Sequence, residues 1–183
     1  MLTFLFQRKV RGKREKDMNL IVAVDEKWGI GKNNDLLFSI KEDMAYFRAT
    51  TMGKVVVMGG NTLRSFPGGK PLKNRVNVVV TRHTDEDVIA VANLDELFCA
   101  LKDYADEDIF VVGGASIYHQ LLPYCKKAYV TKVFADGGAE VFFDNLDEMD
   151  GWTLATKGEE IKAGDYTIRF DVYQNQTVKK YGE

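Results

Sequence analysis

Ile109-Phe110-Val111-Val112-Gly113-Gly114-Ala115-Ser116 runs from an unbroken apolar strand into two glycines and the small residues of a helix start. The pattern occurs once before, in Val55-Val56-Val57-Met58-Gly59-Gly60-Asn61-Thr62. Strands that are apolar on both faces belong to parallel sheets covered by helices on either side. A glycine pair at the carboxyl end of such a strand lets the backbone approach a ligand, and the next helix turns unpaired N–H groups toward an anion. Every βα turn favours glycine, so one copy says little. Two in one small chain point to a dinucleotide laid across the strand ends. Neither copy is a GxGxxG fingerprint or a Walker loop, which weakens an ordinary Rossmann or ATPase reading.

Outward from these turns, strands are expected at Leu20–Val24, Val76–Thr81, Val88–Val91 and Ala128–Phe134. Thr153–Thr156 and Tyr166–Tyr173 read as antiparallel strands, with a hairpin around Lys162–Asp165. Ser39-Ile40-Lys41-Glu42 has capping-box spacing and starts a helix to about Thr50; Asn93-Leu94-Asp95-Glu96 repeats the signature before a Leu94, Leu97, Phe98, Leu101 stripe. Another helix follows Gly114 and ends by Pro123. Asp136 to Gly151 is expected as a long connection. The fold class is therefore α/β: a single domain with a mainly parallel central sheet, antiparallel C-terminal strands and flanking helices.

The chain has 183 residues, 45% hydrophobic and 28% charged, the balance of one globular domain. No apolar run approaches the roughly 20 residues needed to span a bilayer. Two cysteines form no CxxC pair and suit a reducing, cytoplasmic setting; Cys99 is expected to be buried and Cys125 an exposed thiol. Two histidines, His83 and His119, cannot build a metal cage and read as surface or packing groups, so no metal is expected. Residues 1–17 carry six basic side chains against two acidic ones and read as a leader outside the fold, with the catalytic domain spanning residues 18–183. The acidic remainder is poorly suited to a phosphate backbone, so no nucleic-acid partner is expected.

Asp43 is the most informative carboxylate. Ile40, Asp43 and Phe47 fall on one helical face, with Met44 beside them. Burial there raises the pKa of an aspartate and suits it to hold a protonatable ring, although such a group taken alone is more often bonded to neighbouring backbone. The eleven residues Asp25 to Asp35 are long enough for a lid, with Trp28 and Ile30 as its apolar side chains, or for a plain surface loop. Arg75, at a strand mouth, can grip a carboxylate through two hydrogen bonds; a lone arginine is more often a solvated surface group.

In order, Ile21-Val22-Ala23-Val24-Asp25, Trp28-Gly29-Ile30-Gly31-Lys32-Asn33, Leu36 to Phe47 with Asp43, the Gly59 turn with Thr62 and Ser65-Phe66-Pro67, Pro71-Leu72 through Asn77, and Val112 to Tyr118 resemble dihydrofolate reductase. The resemblance spans Met18 to about Tyr173. It implies NADPH-dependent reduction of dihydrofolate, with antifolates as plausible inhibitors; a monomer is expected because no strand or helix shows an unpaired apolar face. Asp43, assisted by Thr131, would bond the pterin and favour its protonation, with water delivering the proton. Ile21, Val22, Phe47, Phe66 and Leu72 would line the substrate pocket, and Arg75 would hold the glutamate α-carboxylate. Ala23, Ile30 and Gly31 would serve the nicotinamide, with Tyr118 near its ring. Gly59, Asn61, Thr62, Gly113, Gly114, Ala115, Ser116 and Ile117 would serve the phosphates.

The chain departs from the family's commonest pattern at three positions. Phe38 replaces a tryptophan that often holds a water, and Leu37 a proline. Gly60 stands where an arginine usually faces the adenosine phosphates, leaving Thr81 and Arg82 to read the 2′-phosphate. A reductase of the same fold acting on riboflavin precursors, and a nucleotide sensor without a reaction, are the rival readings.

Overall fold

A computed structural model describes residues 16–83 and 87–181. Its elements in chain order are β1 (Met18–Val24), β2 (Gly29–Lys32), β3 (Asp35–Leu36), α1 (Lys41–Thr51), β4 (Val55–Gly59), α2 (Gly60–Ser65), β5 (Val76–Val80) and β6 (Ile89–Val91). They continue with α3 (Leu94–Leu101), β7 (Ile109–Gly113), α4 (Ala115–Leu121), β8 (Cys125–Val133), β9 (Val141–Phe142), β10 (Trp152–Thr156), β11 (Ile161–Ala163) and β12 (Tyr166–Asn175). The main sheet runs β10-β12-β8-β1-β7-β4-β5-β6, with β11 on β12. Neighbours from β8 to β6 are parallel, and β10, β11 and β12 are antiparallel. The α/β expectation holds in both parts.

Strand alternation assigns the two faces of this sheet. Met18, Leu20, Val22 and Val24 join Val55, Val57, Ile109, Val111 and Val130 in the main core, closed by Leu97 and Leu101 of α3 and Leu121 of α4. Val56, Met58 and Val79 make a smaller cluster with Phe66 and Leu72, toward the opposite layer. β1, β7 and β4 are neighbours and parallel. Their carboxyl ends therefore bring Asp25, Gly113-Gly114 and Gly59-Gly60 to one crevice.

Several expectations are corrected. Lys16 and Asp17, placed outside the fold by the sequence reading, are buried: Lys16 bridges to Tyr181 and pairs with Asp106 at 3.0 Å, and Asp17 pairs with Lys180. Residues 1–15 of the expected leader lie outside the described residues. Ser39 does not cap α1; its hydroxyl approaches Met44 Sδ at 3.9 Å, and the helix starts after Ile40. The stretch Asp25–Asp35 holds β2 and the start of β3, and the connection from Asp136 holds β9, so the two pair into a three-stranded sheet, β3-β2-β9. The period-two signal was hidden by glycines and by strands of two to four residues. Cys99 is exposed, because it falls off the α3 stripe, and Cys125 is buried at the start of β8, where burial pushes its thiol pKa up.

Candidate active site

One wall of the crevice is α1, whose inward face is only half covered. Asp43, Tyr46 and Phe47 are half-buried and Met44 is 59% exposed. Tyr46 stacks on Phe170 of β12, ring centroids 4.2 Å apart, which fixes the helix over the sheet edge. Burial raises the pKa of Asp43, opposed by an interaction with the Thr131 hydroxyl. Thr131 is 1% exposed, and its Oγ1 has no partner of hydrogen-bond geometry. Among the described residues Asp43 has no counter-ion, so it and the Thr131 hydroxyl keep hydrogen-bonding capacity for a donor-rich ligand.

Ile21 pairs with Tyr129 and Ala23 with Thr131 across β1 and β8, so both lie on the Thr131 side of the sheet. Val22 lies in the main core on the other face. Its side chain packs with the cluster that includes Ile117 and Tyr118 of α4. The Tyr118 hydroxyl donates to the Ile21 carbonyl at 2.6 Å; burial and the nearby Asp43 charge push its pKa up. That contact ties the α4 turn to the Asp43 end.

The glycine turns form a backbone cradle. Gly113 has φ +128°, open to glycine, and is joined to Gly114 by a cis peptide. A Cβ at Gly113 or Gly114 would stand 3.4 or 3.3 Å from Thr62 Oγ1, and one at Gly59 would stand 3.2 Å from Ile117. The two turns thus face each other at close quarters, leaving little room for a side chain at these positions and presenting backbone to the crevice. Asn61, Ala115 and Ser116 lie on the same turns, Asn61 and Ser116 exposed. At Gly60 an added Cβ would stand 3.2 Å from Arg64 Nη1 and 3.3 Å from Thr81 Oγ1, and Arg64 also binds Asn61. Arg82 is exposed beyond β5. Among the described residues no group of histidines, cysteines or carboxylates is arranged to hold a metal.

The expected lid is firmly held. Asp25, 2% exposed, accepts hydrogen bonds from the N–H groups of Lys27 (2.8 Å), Gly29 (2.7 Å) and Gly137 (3.0 Å). A Cβ at Gly29 would meet Ala139 Cβ at 2.3 Å, so glycine is required for the two segments to approach. Trp28 is buried against Phe143 and Tyr173, with Lys132 Nζ 3.6 Å from its ring centroid. It anchors the loop to the core. Ile30 and Gly31 remain half-buried at the crevice edge.

At the far end, Phe66 and Leu72 sit half-buried against the smaller cluster. Arg75 donates from Nε to the Lys73 carbonyl (2.9 Å) and from Nη1 to Thr51 Oγ1 (3.2 Å). Buried Asn77 holds the turn before it: its amide accepts from Leu72 N–H at 2.9 Å and donates to the carbonyls of Leu72 (2.9 Å) and Arg75 (3.1 Å). Sequence reading missed the organising roles of Asn77, Asp25 and Arg64. A polar residue inside the apolar Val76–Val80 run was the available signal for the first.

A sequence model described as dihydrofolate reductase matches residues 17–175. Similar curated proteins include the dihydrofolate reductase of Bacillus subtilis, 33% identical over 90% of this chain and 98% of its own length. That of Staphylococcus haemolyticus is 32% identical over 86% and 95%, and that of Neisseria meningitidis serogroup A 35% over 78% and 87%.

Proposed function

The chain belongs to the dihydrofolate reductase family and is an enzyme reducing dihydrofolate to tetrahydrofolate, and from that premise we propose how its residues divide the work. The carrying observation is Asp43: a carboxylate raised in pKa by burial, without an ion-pair partner among the described residues, beside the orphan hydroxyl of Thr131.

Asp43 and Thr131 hold the pterin edge, and the Asp43 charge stabilises the cation formed as water protonates the ring nitrogen. Water exclusion falls to Phe47, Phe66, Leu72, Ile21 and Val22. Arg75 holds the glutamate α-carboxylate. The hydride is supplied by bound NADPH. Ala23, Ile30 and Gly31 orient the nicotinamide, with Tyr118 beside its ring. Gly59, Asn61, Thr62 and Gly113 through Ile117 cradle the phosphates. Thr81 and Arg82 read the 2′-phosphate; the position of Arg64 over Gly60 favours a second reading in which Arg64 takes that part. The enzyme acts as a cytoplasmic monomer inhibited by antifolates.

Following NADPH oxidation on addition of dihydrofolate tests the reading: turnover is expected, whereas binding without turnover would select a sensor. Measuring the NADPH-to-NADH preference in Arg82→Ala and Arg64→Ala assigns the phosphate contact, the relevant variant losing about tenfold. An unchanged preference in both would discard both residues.

A further inference from the structure

Strand alternation along β8 puts Lys132 in line with Ala128 and Val130, on the face that carries the main core. Its side chain is 13% exposed, and an apolar residue in the same place would bring no charge to bury. The ammonium is spent on two partners: Nζ lies 3.6 Å from the Trp28 ring centroid and 3.2 Å from Asp147 Oδ2. Asp147 is held in turn by the Tyr173 hydroxyl, which donates to Oδ1 at 2.6 Å. Burial pulls the Lys132 pKa down, and Asp147 opposes that pull. In the sheet Lys132 pairs with Val24 of β1 and Arg169 of β12, and Asp171 takes the Arg169 guanidinium, leaving Asp147 as the carboxylate partner of Lys132.

Trp28 has φ +63°, whereas the other non-glycine residues with positive φ among those described are all asparagines, Asn33, Asn34 and Asn74. A bulky side chain keeps that left-handed backbone only where its surroundings hold it. The turn it makes starts β2: the Gly29 N–H reaches Asp25, and the Trp28 carbonyl accepts from the Phe143 N–H at 2.8 Å, ahead of the β2–β9 ladder that carries Ile30 and Gly31. Asp25 bonds the N–H groups on either side of Trp28 and leaves the indole to side-chain contacts. Phe143 stacks on the ring at 6.2 Å and Tyr173 meets it edge-on at 5.9 Å, both neutral. Lys132 adds a cation to the ring face, an attraction those two cannot supply.

We propose that Lys132 is a positioning residue for cofactor binding, acting through the Trp28 ring to hold the β1–β2 turn in the form that presents Ile30 and Gly31 to the nicotinamide. This rests on the reading of Ile30 and Gly31 given above. The buried charge then serves to fix one arrangement of the turn, which a greasy side chain of the same length would leave free to reorient.

The test is calorimetric titration of the full chain with NADPH and, separately, with folate. Lys132→Met keeps the side-chain length and removes the charge; it should weaken NADPH by about tenfold and leave folate within about twofold. Lys132→Arg should recover most of the loss, because a guanidinium also stacks on an indole. In a Trp28→Leu background, adding Lys132→Met should change NADPH affinity by less than about twofold. Equal losses for the two ligands, or a Lys132→Met loss of the same size with and without Trp28, overturn the proposal. So does unchanged NADPH affinity in Lys132→Met, or in Lys132→Gln should the methionine variant fail to fold. Wild type that binds no NADPH sinks the cofactor reading and this proposal with it, whereas NADPH binding indifferent to position 132 removes this proposal alone.

Discussion

Helices α1 and α3 open on the same kind of signature, Ser39-Ile40-Lys41-Glu42 and Asn93-Leu94-Asp95-Glu96, and only one uses it. Asn93 accepts from the Glu96 N–H at 2.9 Å, and the Glu96 carboxylate reaches back to the Ala92 N–H at 2.8 Å. Leu97 and Leu101 are then fully buried. Ser39 makes no such bond, and the only fully covered residue of α1 is Thr51. A helix sealed onto a core is fixed by its cap and stripe. A helix beside a crevice is held at a few points, here Ile40 and the Tyr46–Phe170 stack, and leaves apolar and acidic groups uncovered for something else to cover.

The contrast breaks most decisively at Asp43. Asp43→Asn should fold and bind NADPH yet lose about a hundredfold or more in kcat near pH 7, where the wild-type charge stabilises a developing cation. Turnover within a few-fold of wild type would place the work elsewhere. Next in size, Leu97→Ala on α3 should cost about 3 kcal/mol in urea unfolding, while Met44→Ala on α1 should cost about 0.5 kcal/mol or less. Similar losses would mean that α1 is packed after all.

The caps offer a smaller discrimination: Asn93→Ala should cost about 1 kcal/mol and Ser39→Ala close to nothing. The smallest effect is the pH dependence of stability. Because burial raises the Asp43 pKa in the folded state, the unfolded chain releases that proton first as pH rises from the ordinary value of 3.8. Folded stability therefore falls through the window between the two pKa values and stays lowered above it. Asp43→Asn should be the more stable protein at neutral pH, an advantage that disappears below pH 3.8 in thermal unfolding. An advantage that persisted in acid would exclude the buried charge as its cause.

Legibility varied with the range of the interaction. Apolar strands, glycine turns and the α3 stripe could be read because each is a local pattern whose residues decide it. Trp28 could not: an apolar residue in a polar loop suits a lid as well as an anchor, and only Phe143, Tyr173 and Lys132, far along the chain, make it an anchor. β1 is apolar on both faces, so periodicity alone does not say which of its side chains meet the crevice. Cys125 was misread because its neighbours Lys126 and Lys127 are polar, while strand alternation turns the thiol inward.

By itself the sequence determined the parallel α/β sheet, the two glycine turns and the family, since hydrophobic period and glycine placement act within a few residues. Tertiary structure alone decided that Asp25 clamps two distant segments, that β2 pairs with β9, that Arg64 lies over Gly60, and that Arg75 is held on Thr51. Those outcomes depend on burial and charge between groups far apart in the chain, and such energies exist only once the fold has set their distances.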